Sequence, residues 1–139
     1  MLKTAYSLRS IVTVRHPIDS WLSLKNNGWI HFVPQTVDEY AHRYHAFLNE
    51  CHEAPIYRYE DFLENPDSAL GEMCRSLALT FPEGFMDLFT AHTFSGDSGR
   101  KGEKIQPRPR RPIPEDCYAQ IYESGQLRTL CERLGYDFL

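Results

Sequence analysis

The sequence has no long hydrophobic run. No stretch approaches the roughly 20 consecutive apolar residues that a transmembrane helix requires, although 42% of the 139 residues are apolar. Residues 1–8 also lack the apolar segment of a secretory signal. We therefore predict a cytoplasmic protein that does not span a membrane.

Cysteines are few and widely spaced. The four, Cys51, Cys74, Cys117 and Cys131, form no C-x-x-C pair, so the sequence signals neither a zinc cage nor a disulfide framework. Reduced thiols of a cytosolic protein fit this spacing best. Because Cys74 and Cys131 fall on apolar helical stripes, we expect both to be small buried hydrophobic residues.

A metal site is not predicted either. The six histidines include His42, His45 and His52 on one predicted helix. No carboxylate or cysteine completes a convincing ligand set around them. We therefore predict no metal ion, and we interpret these histidines as solvated or capping residues.

An overall positive charge is missing as well. The formal net charge of −4 argues against a general nucleic-acid-binding protein, which is usually basic. Between Gly99 and Arg111, however, the single acid Glu103 accompanies six cations: Arg100, Lys101, Lys104, Arg108, Arg110 and Arg111. This local excess of positive charge predicts an anionic partner.

Strand and helix patterns alternate along the first part of the chain. Ser10–Val14 is short, apolar and β-branched, which predicts a buried strand that ends at Arg15. Pro17 suits the first turn of a helix, and the apolar periodicity after it continues until 26–28, Asn-Asn-Gly, ends it. This segment is therefore predicted to be a strand–turn–helix unit.

Later segments continue the alternation. Thr36 and Glu39 form a capping box at the start of a helical pattern that reaches Cys51. Pro55–Tyr59 is a second strand candidate, and Asn65-Pro66 is typical of an N-cap followed by the first residue of a helix. The order of these elements favours an α/β sheet.

The stretch 93–114 is predicted to be a long polar loop. It is rich in glycine, proline and cations, and such a loop in a compact domain is usually functional or disordered. Its clustered cations favour a functional loop. Two helices are predicted after it, one opened by Pro114 and one capped by Ser124 and ended by Gly135.

The turn after the first predicted strand suits an anion. In doubly wound folds, ligands bind beyond the carboxyl ends of strands, where the next helix offers free N–H groups. Arg15 occupies this place, and Ser23 lies about two helical turns further on, near the same face. Arginine offers a planar fork to phosphate oxygens, and serine adds one hydroxyl bond.

Three segments in order, within about residues 10 to 135, carry a resemblance to a known family. R-H-P-I-D-S-W-L-S at 15–23 is followed by Y-E-D-F at 59–62 with Asn65-Pro66, then by R-K-G at 100–102 and P-R-P-R-R-P at 107–112. The first resembles the R-x-P-x-D-x-x-x-S pattern of sulfotransferases that use 3′-phosphoadenosine 5′-phosphosulfate (PAPS). The second is similar to the Y-E-D-L segment of these enzymes, and the third to the basic loop of bacterial members.

The resemblance implies a fold and a set of site residues. The fold would be α/β, a P-loop-like three-layer arrangement with a parallel sheet, truncated at the N-terminus and helix-rich in its C-terminal half. Arg15 and Ser23 would bind the 3′-phosphate of PAPS, and Tyr59 would approach the adenine. Arg100, Lys101 and Gly102 would close over the 3′-phosphate.

The resemblance also implies an activity, the transfer of a sulfuryl group from PAPS to a hydroxyl or amine acceptor. The ligands would be PAPS and its product adenosine 3′,5′-bisphosphate (PAP), without a metal ion. Neither the acceptor nor a catalytic base can be assigned from the sequence. His16 and His31 are candidates to line an acceptor pocket.

One part of the family pattern does not occur in this sequence. The family's P-x-S-G-T-T turn, which holds the 5′-phosphosulfate, precedes the R-x-P strand, and only ten residues precede Ile11 here. Transfer of a charged group depends on charge stabilisation at the moving group. We therefore expect residues 1–139 to form a single partial domain that holds the donor and does not turn over alone.

Alternative interpretations remain for the residues and for the function. Arg15 would be a surface residue if it only paired with Asp19 at i+4, and Asp19 is better explained as a structural acid near a helix N-terminus. Tyr59 would be a core tyrosine, and Arg100 and Lys101 solvated charges. The chain would be a partner of an N-terminal half-protein, a non-catalytic phosphoadenosine-binding module, or a self-associating interaction protein.

Overall fold

The computed structural model describes residues 7–81, 84–85, 87, 107 and 109–139. In chain order, the elements within these ranges are β1 (Val12–Val14), α1 (Pro17–Asn26), α2 (Val37–Glu50), β2 (Ile56–Arg58), α3 (Tyr59–Glu64), α4 (Pro66–Leu77), α5 (Glu115–Glu123) and α6 (Gly125–Arg133). The chain divides into two units. We call Met1–Val14 with Glu53–Arg108 the sheet unit, and Arg15–His52 with Pro109–Leu139 the helical unit.

Two short strands form the centre of the sheet unit. β1 and β2 are parallel, and their register pairs Val12 with Ile56, Thr13 with Tyr57 and Val14 with Arg58. Side chains of a strand alternate between the two faces of a sheet. Val12 and Val14 are accordingly buried, whereas Thr13 between them is exposed.

The residues at its two ends set the start and the end of α4 in the sheet unit. The Asn65 side-chain oxygen accepts a hydrogen bond from the Ser68 amide at 3.3 Å, and Pro66 follows it at the first helical position of α4. Ala78 ends α4 in the left-handed conformation with φ 54°. The predicted N-cap and proline pair is therefore confirmed.

Two hydroxyl side chains cap the starts of α2 and α6 in the helical unit. The Thr36 hydroxyl accepts a bond from the Glu39 amide at 3.3 Å, which confirms the predicted cap of α2. The Glu39 carboxylate pairs with Arg43 at 2.7 Å. Ser124 caps α6 in the same way and donates its own hydrogen bond to Asp38, so one hydroxyl joins the starts of α6 and α2.

The apolar core of the helical unit lies between its helices. α6 packs against both α1 and α2. The buried apolar side chains are Ile18, Trp21, Leu22, Val37, Tyr40, Ala41, Leu48, Cys117, Ile121, Leu127, Leu130, Cys131 and Leu134. Trp21 lies 5.5 Å from Tyr40 and 6.5 Å from Phe32 between ring centroids, so aromatic contacts connect α1 to α2.

The observed architecture is mixed α/β with helices dominant and a small two-stranded parallel sheet. This confirms the α/β prediction at that level. β1 is shorter than the predicted strand Ser10–Val14, since its partner β2 offers only three paired residues. None of the helices in the described ranges is long and apolar enough to cross a membrane.

The two cysteines predicted to be buried differ in their surroundings. Cys131 on α6 is fully buried between packed helices, as predicted. Cys74 on α4 is only half-buried. The apolar stripe of α4 packs against α3, a helix of six residues, which covers less surface than the longer helices around α6.

The predicted loop 93–114 lies outside the described residues except for 107 and 109–114.

Because the Cys131 thiol is buried, the free energy of unfolding should decrease as the pH becomes alkaline. Burial raises its pKa to about 11, whereas an unfolded thiol titrates near about 8.5. The folded state therefore keeps a proton that the unfolded state loses. The stability from the neutral thiol is present below about pH 8.5 and is lost as the pH rises towards about 11.

We therefore expect the Cys131→Ala variant to have a flatter alkaline stability profile. Between about pH 8 and about pH 10.5 its free energy of unfolding should fall by about 2 kcal/mol less than that of the wild type. Urea unfolding at both pH values measures this difference. Cys51→Ala, at a half-buried cysteine, serves as the control. Parallel profiles for wild type and Cys131→Ala would show that the prediction is wrong.

Candidate functional site

The connection between β1 and α1 consists of Arg15 and His16. His16 is the N-cap of α1, because its Nδ1 accepts a hydrogen bond from the Ile18 amide at 3.3 Å. Pro17, at the first helical position, has no N–H that needs an acceptor. The start of α1 is thus fixed two residues after Arg15.

The His16 ring connects this turn to the C-terminal segment. It is 6% exposed, and its Nε2 lies 2.9 Å from the Asp137 carbonyl oxygen. Because Nδ1 accepts from a backbone amide, Nε2 carries the ring proton and donates it to that oxygen. The centroid of the His16 ring lies 4.9 Å from that of Tyr136, and the two ring planes are tilted by 50°. Both ring nitrogens are bonded within the unit, which gives His16 a structural role.

A buried carboxylate lies between two arginines at the first turn of α1. Asp19 is 5% exposed, with Arg15 Nη2 3.6 Å from its Oδ2 and Arg110 Nε 3.5 Å from its Oδ1. Arg110 Nη2 also lies 3.4 Å from His16 Nδ1. We call Arg15, Asp19 and Arg110 the Asp19 cluster.

The Asp19 cluster carries more positive than negative charge. Both ion pairs are longer than ordinary hydrogen bonds, and Asp19 Oδ1 accepts no hydrogen bond within the described ranges. The side chains of Arg15 and Arg110 remain 28% and 41% exposed. Two cations and one carboxylate leave a net positive charge beside the positive end of the α1 dipole. This arrangement suits a phosphate or sulfate group, which arginine binds with two parallel hydrogen bonds.

Ser23 lies further along α1 and has a separate partner. Its half-buried hydroxyl oxygen accepts a bond from the Asn27 amide group at 3.5 Å. Within the described part of the chain, no hydrogen bond joins Ser23 to Arg15, whose guanidinium group is held by Asp19. The hydroxyl hydrogen of Ser23 is therefore left for another acceptor. An anion shared by Arg15 and Ser23 stays a prediction.

Tyr59 belongs to the sheet unit and is the first residue of α3. It is 41% exposed, with its ring 6.5 Å from that of Phe62, so it is not a core tyrosine of this unit. The adjacent Arg58 and Asp61 form an ion pair of 2.6 Å. Hydrogen bonds from Arg58 lower the pKa of Asp61, so this acid stays ionised near neutral pH and fixes the strand-to-helix turn.

Only a small part of the predicted basic loop falls within the described residues. Arg100, Lys101 and Gly102 lie outside the described residues, as do Lys104 and Arg108. Of the remaining cations, Arg110 joins the Asp19 cluster, whereas Arg111 is exposed and lines a cavity.

Sequence reasoning missed two features of this site. Arg110 and Asp19 are far apart in the chain, and no local pattern signals their contact. His16 was a candidate for an acceptor pocket, but it caps α1. The signal for that role was Pro17, since the residue before a first-position proline is the natural N-cap.

Comparisons with protein-family models, with curated proteins and with solved structures found nothing that matches the chain. Within the described ranges, no group of three or more His, Cys, Asp or Glu side chains could hold a metal ion. The functional assignment therefore depends on the residues of the site.

We expect Asp19 to stabilise the fold as the common partner of the two arginines. Asp19→Asn should lower the free energy of unfolding by about 1–3 kcal/mol, because it leaves two neighbouring cations beside a neutral buried group. Glu39→Gln breaks the exposed i,i+4 pair with Arg43 and should cost less than about 0.5 kcal/mol. Urea unfolding at neutral pH compares the two variants. An equally small loss in the free energy of unfolding for Asp19→Asn and Glu39→Gln would contradict the role of Asp19 as the common partner of both arginines.

Proposed function

We propose that this chain binds the 3′-phosphate of a phosphoadenosine nucleotide at the Asp19 cluster, as the C-terminal part of a PAPS-dependent sulfotransferase. One observation carries the proposal: Arg15 and Arg110 each pair with a different oxygen of one buried carboxylate, and both arginine side chains remain partly exposed. Asp19 neutralises one of the two charges and orients both side chains. The remaining charge is available to an anion.

A phosphate group would use these residues in different ways. The two arginines would supply charge-assisted hydrogen bonds, which are about twice as strong as neutral ones. Ser23 would donate its hydroxyl hydrogen, since its oxygen already accepts from Asn27. The positive end of the α1 dipole would add to the attraction. A 3′-phosphate, with up to two negative charges, matches a site whose own net charge is positive.

The fold we propose is a P-loop-like three-layer α/β arrangement with a parallel sheet. Two observations support it: the parallel pairing of β1 with β2, and the strand–turn–helix order of β1, Arg15, His16 and α1. In such folds the turn after a strand is the usual place for a bound anion. We also propose that the protein is cytoplasmic.

Further contacts to the nucleotide are proposed on sequence resemblance. Tyr59 would approach the adenine, and its exposure leaves its ring accessible to a base. Arg100, Lys101 and Gly102 would close over the 3′-phosphate. The reaction would transfer the sulfuryl group of PAPS to a hydroxyl or amine acceptor.

A non-catalytic phosphoadenosine-binding or interaction module is the second candidate. It is favoured by the bonding of His16, because the histidine nearest to the cluster has both ring nitrogens engaged within the protein. A module of this kind would bind PAP and PAPS with equal affinity and would not consume PAPS. Sulfotransferase function requires PAPS consumption when an acceptor is present.

Calorimetry with PAP tests the binding site. The wild type should release heat with PAP and much less with adenosine 5′-monophosphate, which lacks the 3′-phosphate. Arg15→Ala should weaken PAP binding about 10- to 100-fold, the equivalent of a lost charged hydrogen bond of about 1.5–3 kcal/mol. Ser23→Ala should weaken it about 2- to 10-fold.

Arg43→Ala is the matched control, because Arg43 forms the same type of i,i+4 pair with Glu39 on α2. It should bind PAP as the wild type does, and circular dichroism verifies that each variant is folded. Absence of heat with PAP, or wild-type affinity in a folded Arg15→Ala variant, would refute the proposal.

A further inference from the structure

The amine of Lys25 touches the thiol of Cys117. Lys25 lies in the last turn of α1 and Cys117 in the first turn of α5, both within the helical unit. Nζ of Lys25 lies 2.9 Å from Sγ of Cys117 and 2.5 Å from Oδ2 of Asp116. An amine, a thiol and a carboxylate are thus in direct contact outside the Asp19 cluster.

The two partners differ in their exposure. Cys117 is 2% exposed, so its thiol is protected from bulky reagents. The Lys25 side chain is 40% exposed. A cavity of about 370 Å³ lies beside Lys25 and Asp116, and its lining also includes Leu22, Arg111 and Pro114. Hydrogen peroxide is small enough to enter this cavity and reach the Lys25 end of the contact.

Lys25 Nζ is held between Asp116 Oδ2 and Cys117 Sγ. The hydrogen bond to Asp116, and then that to Cys117, raise the pKa of Lys25. An oxidised cysteine sulfur can be captured by a nitrogen that is in contact with it. Cys131 serves as an internal control, because burial raises the pKa of its thiol to about 11 and keeps it in the less reactive neutral form.

We propose that Lys25 and Cys117 form an oxidant-sensitive pair, which hydrogen peroxide converts into a covalent Nζ–Sγ sulfenamide link between α1 and α5. A sulfenic acid is known to condense with a nitrogen to give a sulfenamide. The Lys25 amine is the nitrogen in contact with this sulfur. This inference is independent of the proposed nucleotide site.

The steps balance with one molecule of peroxide. The Cys117 thiolate attacks one peroxide oxygen, the O–O bond breaks, and a sulfenic acid and hydroxide form. Hydroxide removes a proton from the Lys25 ammonium group and becomes water. The neutral amine then attacks sulfur, the S–O bond breaks, and the hydroxyl group leaves with a second amine proton as another water. Sulfur loses two electrons, and the peroxide gains them.

The link would join two helices that are distant in the chain. Lys25 and Cys117 are separated by 92 positions. A covalent bond across so long a loop restricts the unfolded chain and stabilises the folded state, as a disulfide does. The linked protein should therefore unfold at higher temperature than the reduced protein, and dithiothreitol should reverse the change.

Mass spectrometry of the peroxide-treated full-length wild type tests the proposal. Peptide mapping should find Lys25 joined to Cys117, with a mass lower by two hydrogen atoms than that of the two separate peptides. Cys131 should remain a free thiol in the same sample. Dithiothreitol should release both peptides. Cys117 left unmodified while the half-buried Cys51 and Cys74 are oxidised, or Cys117 carried to sulfinic acid with Lys25 free, would overturn the proposal.

Two variants locate the bond. Cys117→Ser should give no link. Lys25→Arg keeps the cation but removes the amine, so Cys117 should stop at the sulfenic acid, which dimedone should trap once the oxidised protein is unfolded in denaturant. A link of the same mass that persisted in Lys25→Arg would overturn the assignment of nitrogen to Lys25.

Discussion

The helical unit depends on how a single buried carboxylate is neutralised. Asp19 lies within the first turn of α1, where a negative charge is favourable to the helix dipole. Burial of an unpaired carboxylate would cost several kcal/mol, so its two arginine partners are required by the fold. Since both arginine side chains remain partly exposed in these ion pairs, the contacts that stabilise α1 are also those of the proposed anion site.

The position of Arg110 follows from the packing of the last two helices. The short segment from Arg110 to Pro114 leads into α5, whose Cys117 and Ile121 are buried in the core. α6 then packs on α1 and α2. The packing of α5 and α6 in the core therefore places Arg110, which is distant in sequence, beside the start of α1. His16 strengthens the same connection through Asp137, so the turn that bears Arg15 is held from two sides.

Local patterns predicted the elements well, because helix starts depend on residues that are neighbours in sequence. The caps at Thr36, Asn65 and Ser124 are found where expected, and β1 begins and ends within its predicted stretch. The contacts of the site are different in kind. Two of these contacts, Asp19 with Arg110 and Lys25 with Cys117, join residues that are distant in sequence and that meet because the helices pack together. No rule of sequence spacing predicts such contacts.

The predicted site residues illustrate the same limit. Arg15 was found from its place after a strand, yet its partner Asp19 was predicted only as one alternative. Ser23 lies on α1, as predicted, but its hydroxyl oxygen accepts a hydrogen bond from Asn27. Helical spacing predicts the direction of a side chain, whereas it does not predict the partner of its hydrogen bond. Sequence resemblance supplied the candidate ligand, whereas the electrostatics that would hold it came from the folded helical unit.

In the proposed site, Arg15 and Arg110 act together on one phosphate. NMR tests this directly by following the side-chain Nε–H signals of both arginines during a titration with PAP. Both signals should shift with the same dissociation constant, while that of Arg43 stays unchanged. A shift of neither signal, or of one alone, would contradict a shared phosphate site.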